Sequence, residues 1–223
     1  MGILSIVATP IGNLEDLTLR ALRTLKECEV IYAEDTRVVS KLLTRYEVKK
    51  SLQRLDASTE IKKAEEVIVR LEAGERVVYV SDAGTPGISD PGTRLVAYVR
   101  THLPTAKIEA IPGASALTAA FSIAGIDAPS FTFLGFLPHK KGRQTALRKI
   151  AESEIPVVLY ESPHRIEKLL KELDALQIAR VTVARELTKI HEEVIAGSVA
   201  SVQEHFLTHP DAVRGEFVVI VEP

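Results

Sequence analysis

Residues 76–92 read RVVYVSDAGTPGISDPG. The first five, Arg76–Val80, are an apolar, β-branched run that is too short for a helix and lacks alternation. That is the pattern of a strand buried on both faces, as in parallel sheets sandwiched between helices. The next twelve residues, Ser81–Gly92, contain three Gly and two Pro and lead into a helix predicted over Thr93–His102. A connection of that length is long for a bare turn. It also falls where open α/β sheets bind their ligands, beyond the carboxyl end of a strand.

The same alternation extends in both directions. Upstream, strands are expected at Ile3–Ala8 and Val30–Ala33. Helices are expected from a cap at Asp16 through Leu19, Leu22 and Leu25 to Cys28, over Thr36–Tyr46, and over Ser58–Ala73, where Gly74 stops the helix. Downstream, Lys107–Ile111 reads as a strand, Pro112-Gly113 as a turn, and Ala114–Ala124 as a small-residue helix closed by Gly125. The pattern then restarts with strand Phe131–Leu134, helix Lys141–Glu152, strand Pro156–Tyr160 and a helix entered by Pro163. Strands Val181–Leu187 and Glu192–Gly197, helix Ser198–Leu207 and strand Glu216–Val221 complete the chain. The expectation is a two-domain α/β protein with a boundary in the 113–128 region. Residues 1–113 would hold a mainly parallel sheet and residues 114–223 a mixed one.

Composition narrows the function classes. The 223 residues are 46% apolar and 5% aromatic with no Trp, enough aliphatic material for a sizeable core and incompatible with wholesale disorder. Lys and Arg number 28 against 30 for Asp and Glu, so there is no global cationic field and any nucleic-acid contact must be local. Cys28 is the only cysteine, which excludes a disulfide framework and a Cys-rich zinc site and fits a reducing, cytoplasmic setting. No apolar run is long enough for a membrane span, and the amino terminus lacks a signal-peptide pattern. The six His show no HExxH spacing, and no catalytic metal is expected.

Three loops stand at carboxyl ends of predicted strands: Ala8–Asn13 (ATPIGN), Ser81–Gly92, and Pro112–Ala116 (PGASA). Glycines there allow the backbone to approach a ligand closely, and helix N-termini near Ala114 and Thr93 present N–H groups to an anion. Neither GxGxxG nor GxxxxGK[ST] occurs, so dinucleotide and P-loop readings lose their main support. Taken singly, each loop also reads as an ordinary turn.

Seven segments together carry a resemblance: Val7–Arg20 (VATPIGNLEDLTLR), Ala33–Arg37 (AEDTR), Val80–Gly92 (VSDAGTPGISDPG), Ile111–Ala119 (IPGASALTA), Tyr160–Arg165 (YESPHR), Ala184–Glu193 (ARELTKIHEE) and Arg214–Phe217 (RGEF). The chain resembles the tetrapyrrole methylase superfamily, and within it the ribosomal RNA small subunit methyltransferase I family, over residues 3–221. The resemblance implies a tetrapyrrole methylase-like two-domain fold, a homodimer, and transfer of a methyl group from S-adenosyl-L-methionine, held in a cleft between domains. The acceptor would be the ribose 2′-oxygen of a cytidine in 16S rRNA of the small ribosomal subunit. By matching motifs, the resemblance assigns donor contacts to Thr9, Pro10 and Ile11, to Asp82, Gly84 and Thr85, to Gly113, Ala114, Ser115 and Ala116, and to Tyr160.

A ribose hydroxyl is a weak nucleophile, and a positioned base would add on the order of 10²–10⁴-fold to its transfer. Glu34, Asp35 and Glu186 are the candidate bases, and Lys189 is a candidate to stabilise the developing alkoxide. Each has an equally ordinary reading as a cap, ion-pair partner or solvated side chain. Candidate phosphate contacts are Arg37, Lys41 and Arg45 at i, i+4, i+8, the group Lys140, Lys141 and Arg143 with neighbouring His139, Arg148 and Lys149, and the pair His164 and Arg165.

Two departures from the family pattern bear on RNA affinity. The 53–60 stretch reads Leu55-Asp56-Ala57-Ser58-Thr59 where a His- and Asn-containing acidic segment is usual, and a small carboxyl-terminal extension present in many members has no counterpart. Two further readings fit the residues: a methyltransferase of a tetrapyrrole or other small molecule, and a catalytically silent RNA-binding assembly factor.

Overall fold

The computed structural model describes residues 2–56, 60–88 and 90–223. Two compact units divide the chain, Met1–Ser115 and Ala116–Pro223.

In the first unit, strands β1 (Ile3–Val7), β2 (Val30–Ala33), β3 (Ser51–Arg54), β4 (Arg76–Val80) and β5 (Lys107–Ile111) form one sheet. Their spatial order is β3-β2-β4-β1-β5, and every neighbouring pair is parallel. Helices α1 (Leu19–Glu27), α2 (Thr36–Arg45), α3 (Glu60–Glu72) and α4 (Gly92–His102) connect them. The strand alternation explains the layering. Val78 and Val80 of β4, with Ile31 and Ala33 of β2, pack beside Leu25, Val39 and Leu43. Their neighbours Val77, Tyr79, Val30 and Tyr32 point the other way, into Val67, Leu71, Leu95 and Val99. Two apolar faces with helices on both are what make the central strands read as unbroken hydrophobic runs.

The second unit begins with α5 (Ala116–Ala124) and holds β6 (Thr132–Phe136), α6 (Arg143–Ala151), β7 (Val157–Glu161), α7 (Ile166–Ala175), β8 (Arg180–Arg185), β9 (Glu193–Gly197), α8 (Val199–Thr208) and β10 (Phe217–Glu222). Its sheet runs β6-β7-β10-β8-β9. β6 and β7 are parallel, whereas β10 is antiparallel to both β7 and β8, and β8 to β9. The sheet is therefore mixed, as expected. Its core gathers Leu159, Val183, Val219 and Phe217 against Leu147, Leu169, Leu173, Val202 and Phe206.

Several local expectations are corrected. Strand β3 has no apolar signature in the sequence; SLQR is polar because it is the edge strand and is only partly covered. Thr18, not Asp16, caps α1, accepting the Ala21 N–H at 3.0 Å. Asp16 belongs to a preceding 3₁₀ turn, Leu14–Asp16. The α5 helix starts at Ala116 and not at Ala114. Pro163 sits in a turn ahead of α7, in which the Ser162 carbonyl accepts the Arg165 and Ile166 N–H groups. The expected start of α3 at Ser58 lies outside the described residues, as do Ala57, Thr59 and Ser89.

Candidate active site

Four neighbouring strands of the first unit, β2, β4, β1 and β5, end at one sheet edge, and the segments after them are tied together by hydrogen bonds. Thr9 and Gly84 form an isolated bridge, with Thr9 N–H donating to Gly84 O at 3.0 Å and Gly84 N–H to Thr9 O at 3.1 Å. The buried Thr9 hydroxyl donates to Ser81 O at 3.2 Å. Thr85 Oγ1 donates to Ala114 O at 3.0 Å, joining the β4 and β5 loops. Asp35 N–H donates to Asp82 Oδ1 at 2.9 Å, joining the β2 and β4 loops. Three sequence motifs thus become one continuous rim.

Two glycines in this rim have physical reasons to be glycine. Gly84 has φ +77°, and a Cβ on it would stand 3.1 Å from Ile11 Cγ2. At Gly113 a Cβ would come within 2.9 Å of the Ala8 methyl. At both positions a side chain would press on these neighbours and hold the loops apart. Asp90, not singled out from the sequence, shapes the remainder. It accepts from Gly87 N–H at 2.6 Å and Gly92 N–H at 2.8 Å, and from the Tyr79 hydroxyl at 3.2 Å. The buried Tyr79 phenol is pushed far above its ordinary pKa, first by burial and then by the adjacent carboxylate. The signal for Asp90 was the spacing Gly87–Asp90–Gly92, which allows one carboxylate to bind two backbone N–H groups.

The family model described as Tetrapyrrole (Corrin/Porphyrin) Methylases matches residues 4–203. A relative in Thermotoga maritima, named ribosomal RNA small subunit methyltransferase I, is 42% identical over 207 residues, covering 92% of this chain and 92% of that protein. The chain belongs to this family. Among solved structures, the methyltransferase CobJ superposes with a TM-score of 0.73 at 21% identity, covering 100% of this chain and 94% of that one. The uroporphyrin-III C-methyl transferase of Thermus thermophilus, complexed with S-adenyl homocysteine, gives 0.66 at 19% identity, covering 100% and 98%. These two likenesses speak to the fold.

Within this family member, the structure separates the three carboxylates that the sequence left equivalent. Asp35 caps α2, accepting Arg37 N–H at 2.9 Å, and Arg37 Nη2 meets its other oxygen at 2.5 Å. Hydrogen bonding from Arg37 holds the Asp35 carboxyl down at about 2, which leaves it a poor proton acceptor. Glu186 accepts from Lys189 Nζ at 2.8 Å and from Glu216 N–H at 3.1 Å. Burial would raise its pKa, but these donors more than reverse that and keep it below the ordinary glutamate range. Lys189 is shared with Glu216 at 2.9 Å. Gly215, at φ +99°, leaves room for the Glu186 carboxyl, which a Cβ would overlap. Glu186 and Lys189 are thus paired with each other at the β8–β9 turn, unlike Glu34.

Glu34 differs. It stands at the carboxyl end of β2, beside the rim, and its carboxylate makes no hydrogen bond or ion pair among the described residues. Its pKa is raised, first by burial and then by the negative charges of Asp82, Asp90, Asp56 and Asp35.

Tyr160, on β7 in the second unit, is half-buried. Burial raises its pKa, while a hydrogen bond from the Leu117 backbone N–H, in the first turn of α5, acts in the opposite direction. Its ring stands edge-on to Phe133 and Phe136.

Of the expected RNA-contacting cations, Arg37, Lys41 and Arg45 are exposed along α2, and Lys140, Lys141 and His164 are exposed in the second unit. Two expectations are corrected. Arg143 is 3% exposed and makes a two-pronged pair with Glu172, at 3.0 Å from Nε and 2.5 Å from Nη2 to Oε2. Arg165 pairs with the fully buried Glu161 carboxylate at 3.2 Å and donates to Leu137 O at 2.5 Å. The Arg143 guanidinium is thus engaged inside the protein, and that of Arg165 is partly buried with its donors in use.

Proposed function

We infer that the protein transfers a methyl group from S-adenosyl-L-methionine to the ribose 2′-oxygen of a cytidine in 16S rRNA. The observation that carries this reading is the stitched rim of Thr9, Gly84, Thr85 and Ala114, in a chain 42% identical to a small subunit rRNA methyltransferase over nearly its whole length.

The rim suits the donor in three ways. The close-packed glycines at Gly84 and Gly113 place no side chain of their own over the edge where an amino-acid moiety would lie. Ala8, Pro10 and Ile11 supply an apolar wall for a nucleobase. The carboxylates of Glu34, Asp35, Asp82 and Asp90 give this edge a negative field that favours a cation, with no buried positive competitor among the described residues. Thr9, Pro10, Ile11, Asp82, Gly84, Thr85, Gly113, Ala114 and Ser115 would hold the donor in the first unit. S-adenosyl-L-methionine supplies an electrophilic methyl on a sulfonium whose departure leaves a neutral thioether.

The protein's own part is alignment and proton removal. Fixing acceptor and donor in line is worth roughly 7–11 kcal/mol. Glu34 takes the proton of the 2′-hydroxyl as the new O–C bond forms, a role supported by its raised pKa and by a carboxylate without a hydrogen-bond or ion-pair partner among the described residues. Phosphates on the acceptor are met by the α2 stripe and by Lys140, Lys141 and His164. The reading extends to a homodimer acting in the cytoplasm, with family membership as its support. No helix among the described residues is long and apolar enough to cross a membrane.

Incubation with methyl-labelled S-adenosyl-L-methionine and 30S subunits, naked 16S rRNA or a uroporphyrinoid tests the function. Label is expected in 2′-O-methylcytidine after nuclease digestion. Label in the porphyrinoid alone overturns the RNA reading, and donor binding with no label anywhere points to a silent assembly factor. Lys41→Ala is expected to lower the slope of log affinity against log salt by roughly 0.7–0.9 for the one phosphate contact removed. Donor affinity, read by calorimetry, should not change.

A further inference from the structure

The β6 strand contains an irregularity with a chemical consequence. Its pairing with β7 runs Phe133↔Val158, then Gly135↔Leu159 and Phe136↔Tyr160, so one extra residue is inserted between Phe133 and Gly135. Gly135 adopts φ +61°, a left-handed conformation that glycine takes without a Cβ penalty and that one class of bulge uses. In a regular strand, residues three apart face opposite sides. The bulge cancels that difference. Phe133 and Phe136 now oppose Val158 and Tyr160, which lie on the same face, opposite the core face that takes Leu159. The result is an aromatic triad with Tyr160 between two phenylalanines, at centroid distances of 4.9 Å to Phe133 and 5.7 Å to Phe136. Phe136 is the outer member and is 54% exposed. A large aromatic ring, turned outward by a bulge at a strand end and already packed against a second ring, is a ready stacking surface.

The residues immediately after Phe136 select the partner. They are Leu137-Pro138-His139-Lys140-Lys141, and the segment is pinned to the end of β7 by Arg165. This guanidinium donates to Leu137 O at 2.5 Å and to His139 Nε2 at 3.3 Å. It is itself held at 3.2 Å by the Glu161 carboxylate, whose side chain is fully buried. Because arginine can only donate, His139 Nε2 must be the acceptor here, and the ring is fixed by that bond. The lysines beside it remain exposed. An exposed ring flanked by a fixed cationic segment matches a splayed-out nucleotide, with the base on the aromatic face and the phosphates beside the lysines.

We propose that Phe136 is a stacking platform for an unpaired nucleobase of the acceptor RNA, and that Glu161 and Arg165 are positioning residues that fix the His139–Lys141 segment against the adjoining phosphates. The choice of RNA as partner rests on the function inferred above.

The chain contains no Trp, so Phe136→Trp provides a unique reporter. Titrating this variant with single-stranded oligocytidylate is expected to quench its emission, while Leu207→Trp, on the exposed side of α8, stays unquenched. Phe136→Ala is expected to weaken oligocytidylate binding roughly tenfold, with S-adenosylhomocysteine affinity unchanged, and Phe136→Trp to retain the affinity. Arg165→Lys keeps the charge but loses the fork, and should weaken RNA binding without altering the salt slope by a full contact. Absence of quenching, oligocytidylate affinity for Phe136→Ala within twofold of wild type, or a dimer that falls apart in Phe136→Ala by sedimentation would each overturn the platform. Failure of the function is distinguishable. Wild type that methylates 30S subunits together with an unaffected Phe136→Ala rejects only the platform. A quenched Phe136→Trp with no methylated RNA in wild type rejects only the activity.

Discussion

Glu34→Gln is expected to lower kcat for RNA methylation by roughly 10²–10⁴-fold, the range for loss of a positioned base, while the variant still folds and still binds donor. Gln preserves the size and polarity of the side chain and removes its capacity to take a proton. The choice of Glu34 over its neighbour rests on environment. Asp35 is held at about 2 by Arg37, so Asp35→Asn, which can still cap α2, should cost far less activity. The pH profile has a definite sign. Glu34 titrates above the usual glutamate value because of burial and the nearby Asp82 charge, so kcat/KM should climb as pH rises through that raised pKa. In Glu34→Gln the climb should be absent. If the variant keeps wild-type kcat, the base lies elsewhere.

The same shift makes two further measurements informative. A carboxyl whose folded pKa is raised contributes stability at low pH that is lost as pH rises through that pKa. Glu34→Gln should therefore match wild type in acid and be slightly more stable at neutral pH, a gain in stability at the cost of activity. Asp35 has the opposite sign: its contribution is present above the unfolded value and is lost as pH falls toward about 2. Ligand charge adds a control. A sulfonium is favoured by ionised Glu34 and a thioether is not, so S-adenosyl-L-methionine affinity should increase with pH more steeply than S-adenosylhomocysteine affinity, and Glu34→Gln should bring the two slopes together.

Legibility in the sequence depends on how local each determinant is. Strands β2, β4 and β5 were read with their observed limits because each is a short β-branched run between clear breakers. Strand β3 is not legible because an edge strand with one poorly covered face has no apolar pattern to show. The three loops at the strand ends could be found from their glycines and their positions after strands. The bridge between Thr9 and Gly84, 75 positions apart, could not, because it depends on β1 and β4 becoming neighbours. The same limit applies to charges. A string of His, Lys and Arg looks uniformly basic in one dimension, and only the packing of α6 on α7 shows which cation faces inward. Bulged pairing at Gly135 likewise leaves no local periodicity, since the insertion itself destroys the period of two.

Arg143→Ala is expected to destabilise the second unit by about 3 kcal/mol, toward the lower end of the ~3–5 kcal/mol typical when one partner of a buried ion pair is removed. The reason is the carboxylate left behind. Glu172 is 18% exposed and its remaining cation, Lys168, is 3.9 Å away and mostly solvated, so part of its charge is compensated and part is not. The Arg143 guanidinium also donates to Pro138 O at 3.3 Å, securing the segment that leads into α6. The melting transition of this unit should fall by on the order of 10 °C or more. Replacing both partners, Arg143→Met with Glu172→Met, removes the stranded charge and fills the space with apolar volume, so most of the loss should be recovered. A phosphate-binding role would give a different pattern: unchanged melting, weaker RNA binding and a salt slope smaller by roughly 0.7–0.9. Measured at a temperature where Arg143→Ala is folded, RNA affinity should stay within twofold of wild type. The pair of readouts thus decides whether this arginine holds the protein together or holds its substrate.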